Sequence, residues 1–465
     1  MKYLISSWNY LNDRLGLTQM VKPLFGHLVP SNATWWYVFG TATLFSFLVQ
    51  IVTGITLATV YIPSTGQAYE SLQFITNQAA FGRVLRGIHN WGAYAMIFFV
   101  GVHMMRVFLT AAYKFPREMS WLTGTFLFLL TVTMGFSGQI LRWDQNAIWS
   151  LVVGAEQAGR TPLIGDLLAQ FILGGRTFGG ATLSRWFSLH MLWLPAGIFA
   201  LLGIHLYLVI RNGISEPPEA GRPVDPKTYR SWYENLLQKK GVPFFPNAAW
   251  RDVVFSTAVI VGIVVVAVLV GPPALGKPPD PTIIEANPRP DWYLLWYFAA
   301  LALIPPGIEN YFIIGAPLLA GIVLIALPFV ANKGERHPRR RPWAIGAVII
   351  IVVMVGTLWY EGARSPWSPD FTAKPLPQSV IGASSGPVYQ GAQVFHDKGC
   401  EYCHTISGYG GERGPNLSDA GNLLSRDEMI SRILNGATNM PPFAGNISPQ
   451  ELDDLVTFLQ TRKIK

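Results

Sequence analysis

The chain is poor in cysteine, in histidine and in charge, and each shortage excludes something. Only two cysteines occur in 465 residues, so no cysteine–histidine cluster can hold an iron–sulfur centre, and a zinc site would lack ligands. Charged residues make up 13% of the chain against 50% hydrophobic, where a water-soluble domain carries about 25% charged residues. No cleavable signal peptide is visible. Residues 1–30 carry scattered charges, Asn12-Asp13-Arg14 among them, without a continuous apolar core, and this amphipathic stretch is expected on a membrane surface. The net charge of +8 does not point to nucleic acid, because the basic residues fall in loops between apolar runs.

What is present is long apolar runs with 16 tryptophans and 17 tyrosines, a composition suited to a polytopic membrane protein. Hydropathy places spans near 35–61, 91–110, 121–141, 187–210, 253–271, 311–331 and 343–360, each long enough to cross. The apolar segment 292–305 is short and is expected to be buried or re-entrant, and 147–174 is expected to form surface helices. With the N-terminus in the cytoplasm, the inside loops hold Lys114, Arg117, Arg222, Lys227, Arg230, Lys239, Lys240, Lys333, Arg336 and Arg339 to Arg341. The positive-inside rule therefore puts the C-terminus outside.

Four of the eight histidines lie in two of the apolar segments: His89 and His103, 14 residues apart, and His190 and His205, 15 apart. Either spacing brings the second ring back to nearly the same helix face, roughly 21 Å further along, within a bilayer core about 30 Å thick. Four buried structural histidines are the alternative, but the matched arrangement points to two stacked haems. The two helices are separated by one crossing and run the same way, so His89 pairs with His190 near the outer surface and His103 with His205 near the inner one. Gly40 and Gly54, and Gly124 and Gly138, recur at the same spacing of 14 and are expected to give the helices room beside the macrocycles. Arg83, Arg86, Arg106 and Arg185 are placed to pair with haem propionates, with interfacial snorkelling as the alternative.

Beyond about Glu361 the chain is polar. A linker rich in Pro, Ser and Gly, 362–387, leads to Cys400-Glu401-Tyr402-Cys403-His404, which reads as covalent c-type haem attachment with His404 as proximal ligand; a disulfide or a redox pair is the alternative. Met440, in a proline-stiffened loop, is the expected sixth ligand, ahead of Met429 in a helical pattern and His396. Ser448-Pro449-Gln450-Glu451 signals a capped final helix. The fold expected is all-α: a helical bundle of about seven spans with a four-helix haem-binding core, and a small helical cytochrome c domain. Its parts are 1–220 (di-haem), 221–361 (three spans), 362–387 (linker) and 388–465.

These residues resemble the cytochrome b of cytochrome bc complexes, through Gly82-Arg83-Val84-Leu85-Arg86-Gly87-Ile88-His89, His103-Met104-Met105-Arg106, Lys114-Phe115-Pro116-Arg117-Glu118, Gly138-Gln139-Ile140-Leu141-Arg142-Trp143-Asp144-Gln145, Ser188-Leu189-His190 and Arg289-Pro290-Asp291-Trp292-Tyr293. The 15-residue spacing and the ending Arg211-Asn212-Gly213-Ile214-Ser215 look like the b6f branch, whose first four and last three spans are separate subunits; here both pieces are fused to a c-type cytochrome. Val38 stands where that branch fixes an extra haem on cysteine, Arg142 stands where the family usually has proline, and Asp291 where it more often has glutamate.

The resemblance implies a quinol:cytochrome c oxidoreductase that moves protons across the membrane. Quinol is oxidised at an outer site, with Asp291 as proton acceptor and Tyr293 as hydrogen-bonding partner, although Asp291 could also cap the helix that follows it. One electron goes to a Rieske iron–sulfur protein and on to haem c, and the other crosses two b haems to an inner quinone site. It also implies a separate Rieske subunit, a soluble cytochrome c or similar acceptor, a homodimer and a bacterial cytoplasmic membrane. A linear conduit without an inner quinone site and a membrane anchor for a c-type carrier are the rival readings.

Overall fold

The computed structural model describes residues 2–279, 289–370, 372–436, 440 and 442–464, and its chain forms two compact units. Among the described residues seven helices are long and apolar enough to cross a membrane: Phe39–Ala58, Gly82–Leu109, Glu118–Ile140, Gly180–Asn212, Ala249–Leu269, Gly307–Val330 and Pro342–Arg364, here the first to seventh spans. Their outward side chains are large and apolar, Val52 and Ile55 on the first and Val261, Val265 and Leu269 on the fifth among them, as a hydrocarbon solvent requires. The apolar helix Trp292–Leu303 is too short to cross.

In the first unit the loops sort onto two faces. On one, strand Leu28–Pro30 before the first span pairs antiparallel with Gly241–Pro243 before the fifth. Loops after the second, fourth and sixth spans meet there: Phe115 N–H donates to Asn332 Oδ1 at 2.9 Å, and Val224 bridges Gly334. On the opposite face Tyr61 donates to the Leu141 carbonyl at 2.8 Å, Tyr69 to the Gly276 carbonyl at 2.7 Å, and Asp144 accepts from Gly276 N–H at 3.0 Å. An even number of crossings between each set of partners is what this sorting demands.

Several helices run past the apolar windows. The second span begins at Gly82 rather than near residue 91, because its polar first turns are satisfied on the loop face, where Arg86 donates to Thr76 Oγ1 and the Pro273 carbonyl, both at 3.0 Å. The fourth span is continuous from Gly180, with one π-helical turn at Leu189–Trp193. Pro195 has no N–H to give the Met191 carbonyl four residues earlier, and the backbone widens just before it. Segment 147–174 overlaps the short helices Gln145–Gly159 and Gly165–Leu173.

The second unit includes Leu294–Leu303 and Thr357–Lys465. Its core is built from Phe395, Ile406, Leu455, Val456 and Phe458, with the Phe395 and Phe458 rings 6.0 Å apart. Helices Arg426–Asn435 and Pro449–Gln460 both open on capping boxes, Ser425 with Glu428 and Ser448 with Glu451, which satisfy backbone donors that would otherwise be orphaned. Part of segment 362–387 is not a free tether: Leu376 and Ile381 are buried in this same core.

Candidate functional site

The first four spans bring the four histidines to face their neighbours' glycines. A methyl group added at Gly54 would lie 3.1 Å from His89 Cε1, at Gly40 3.0 Å from His103, at Gly138 3.0 Å from His190 and at Gly124 3.4 Å from His205. The glycines at spacing 14 thus make room directly for the imidazoles. Three rings are also held by a hydroxyl on Nδ1: His89 by Thr53 at 2.9 Å, His190 by Ser137 at 2.8 Å and His205 by Thr123 at 2.8 Å.

The π-helical turn explains the unequal spacings. In a regular helix 14 residues fall short of four turns by about 40°, whereas 15 overshoot by about 60°. One wide turn after His190 absorbs one residue, so the fourth span presents its two histidines with the register of the second.

His89 and His190 oppose each other with ring centres 6.3 Å apart. A nitrogen ligand sits about 2.0–2.1 Å from a first-row metal and the ring centre about 1.1 Å behind it, so two rings on one metal have centres roughly 6.3 Å apart. The rings border a cavity that is partly open to its surroundings, with about 1270 Å³ of space not filled by atoms when the open part is included. Gln50 Nε2 and Gln139 Oε1, whose residues line it, are buried without hydrogen-bond partners among the described residues. No three His, Cys, Asp or Glu side chains gather there or elsewhere among the described residues as a metal site. Two facing imidazoles, a partly open space and unsatisfied polar atoms fit a haem, which would bring its remaining ligands with it.

Asp291 and Tyr293 line the same cavity. Asp291 Oδ1 accepts from the Tyr94 hydroxyl at 3.4 Å, and burial raises the Asp291 carboxyl above its ordinary range, opposed by the Arg142 charge. Burial likewise raises the Tyr293 phenol, with the Asp291 charge adding to it. The Tyr293 hydroxyl packs on the third span, 2.7 Å from where a methyl group on Gly135 would sit. Tyr94 and Gly135 were not singled out in the sequence; an aromatic and a glycine in apolar helices give no local signal.

The four arginines divide. Arg86 is buried and lines the cavity. Arg106 is buried over the Tyr37 ring, 3.8 Å from its centre. Arg83 is not brought to the histidines: it donates to the Val270 carbonyl at 3.1 Å, at the end of the fifth span. Arg185 is exposed. Near the other pair, Asp252 opens the fifth span and bonds Thr41, next to Gly40.

In the second unit Cys400 and Cys403 lie on one short turn with no disulfide between them, and His404 N–H donates to the Cys400 carbonyl at 3.0 Å. His404 Nδ1 donates to the Pro415 carbonyl at 2.9 Å, which leaves Nε2 as the nitrogen with a lone pair, and Gly414 gives the ring space. Met440 packs at the edge of the core, whereas Met429 is 2% exposed inside it. His396 bonds the fully buried Glu401 carboxylate.

Comparison with known proteins identifies the family of each part of the chain. Residues 24–213 match the family Cytochrome b/b6/petB, 278–376 match Cytochrome b(C-terminal)/b6/petD, and 387–459 match Cytochrome C oxidase, cbb3-type, subunit III. The menaquinol:cytochrome c reductase cytochrome b subunit of Bacillus subtilis (strain 168) is 35% identical over 218 residues, 45% of this chain and 97% of that protein. Cytochrome b6 of Heliobacterium mobile is 39% identical over 211 residues, 45% of this chain and 99% of that protein. A solved chain of a hyperthermophilic respiratory complex III superposes with a TM-score of 0.64 at 28% identity, covering 80% of this chain and 92% of its own. The chain belongs to the cytochrome b/b6 family and carries a cytochrome c domain at its C-terminal end, which together imply haem b and haem c.

Proposed function

We propose that the chain is the membrane subunit of a quinol:cytochrome c reductase, with one haem b between His89 and His190, a second between His103 and His205, and a haem c on Cys400, Cys403, His404 and Met440. The observation that carries this reading is the opposed His89 and His190 rings at 6.3 Å, on a cavity that also reaches Asp291 and Tyr293. One-electron transfer is the chemistry the haems supply when bound. The protein's part is to hold the rings, exclude water and take protons from quinol: Asp291 accepts a proton, while Tyr94 and Tyr293 hold the carboxylate and the substrate oxygen. Asp252, beside the inner pair, is suited to return a proton to quinone.

The face carrying Leu28–Pro30 is the cytoplasmic one in this reading, and seven spans deliver the c domain to the outside of a bacterial cytoplasmic membrane. A separate Rieske protein, a soluble acceptor and a homodimer complete the complex. Single-turnover oxidation of one quinol equivalent, with the iron–sulfur protein present and oxidised, tests it: half of the electrons are expected on haem b. A linear conduit sends both to haem c.

The register argument gives a second test. Deleting Leu192 removes the need for the π-helical turn and leaves a spacing of 14, so two haem b per chain are expected. Inserting one alanine after Gly197 turns the inner ligand by about 100° and drops the count to one. Pyridine haemochrome spectra read both.

A further inference from the structure

The hydroxyls on the histidines follow a rule. Each belongs to the residue just before the glycine packed on that ring: Thr53 before Gly54, Ser137 before Gly138 and Thr123 before Gly124. Each also donates its own hydrogen to a carbonyl of its helix, Thr53 to Val49 at 2.7 Å, Ser137 to Met134 at 2.9 Å and Thr123 to Met119 at 2.9 Å. A hydroxyl has one hydrogen, so towards the histidine each oxygen accepts. Nδ1 therefore carries the ring's hydrogen, and Nε2 carries the lone pair. At the fourth position Gly40 follows Phe39, whose side chain offers no acceptor.

We propose that Thr53, Ser137 and Thr123 are positioning residues that fix the ligating nitrogen of His89, His190 and His205 and raise its basicity, and that Phe39 leaves the inner pair with one such bond where the outer pair has two. This rests on the ligation proposed above. A more basic imidazole stabilises the oxidised metal, so the outer haem is held at the lower potential and electrons favour the inward direction. Losing one bond of ordinary strength shifts the reduction equilibrium up to about tenfold, which for one electron is about 59 mV.

Anaerobic potentiometric titration of the haem b absorbance tests it. Thr53→Val is expected to raise the lower of the two potentials, while Thr53→Ser, which keeps the hydroxyl, leaves it in place. Phe39→Thr is expected to lower the higher potential relative to Phe39→Val, which removes the ring without adding an acceptor. Equal potentials in the two Thr53 variants, or in the two Phe39 variants, overturn the proposal. Haem loss in Thr53→Val with retention in Thr53→Ser supports it, and loss in both overturns it by assigning Thr53 to packing. Wild-type protein without two haem b would instead sink the ligation reading.

Discussion

His190→Leu is expected to leave one haem b per chain instead of two, with haem c unchanged and quinol-dependent cytochrome c reduction lost. The ring is buried, backed by Gly138 and held by Ser137, and leucine at its place offers no ligating nitrogen. Leucine fills a similar volume and faces an apolar helix packing, which keeps the effect on folding small. The count is read by pyridine haemochrome spectra on purified protein. An unchanged count in folded protein would remove His190 from the ligand set. His396→Leu is the contrasting change: its ring is engaged with Glu401, and haem c should survive it.

Asp291→Asn is expected to slow quinol oxidation by about 10²–10⁴-fold, the range of a lost general base, with all haems retained. Burial raises the Asp291 carboxyl above the ordinary carboxylate value of about 3.9. The carboxylate, which is the accepting form, is therefore lost as pH falls through that raised value. Wild-type turnover should decline on the acid side at a pH above the ordinary carboxylate range, and the remaining activity of Asp291→Asn should lack that limb. Steady-state rates against pH separate this from a capping role, which would lower stability without altering the profile. The described side chain accepts from Tyr94, and Tyr94→Phe should give a smaller loss in the same direction.

The spans and the histidine pattern were legible because both depend on short-range periodicity, a property of the chain itself. Gly40, Gly54, Gly124 and Gly138 were legible as a period, yet their immediate neighbour is the imidazole of the adjacent span, which only packing reveals. The 15-residue spacing could be read, but its remedy could not: Pro195 hinted at a disturbed helix without saying that the backbone would widen by one residue. The basic loops served the sequence reading as orientation signals, which the fold does not test. In the fold several of them bind helix ends: Arg341 donates to the Phe108 and Leu109 carbonyls at 3.1 and 3.0 Å, and Arg117 to the Gly213 carbonyl at 2.9 Å. Arg83 likewise binds a helix end, donating to the Val270 carbonyl at the close of the fifth span. Tyr94 was invisible because its partner, Asp291, lies 197 residues further along the chain.

The most direct test is a haem-type count on the purified, detergent-solubilised protein, from reduced-minus-oxidised spectra and pyridine adducts per polypeptide. Two haem b to one haem c is the expected result. One haem c and no haem b, in folded protein expressed with adequate haem supply, would contradict the four-histidine site and leave a membrane-anchored cytochrome c.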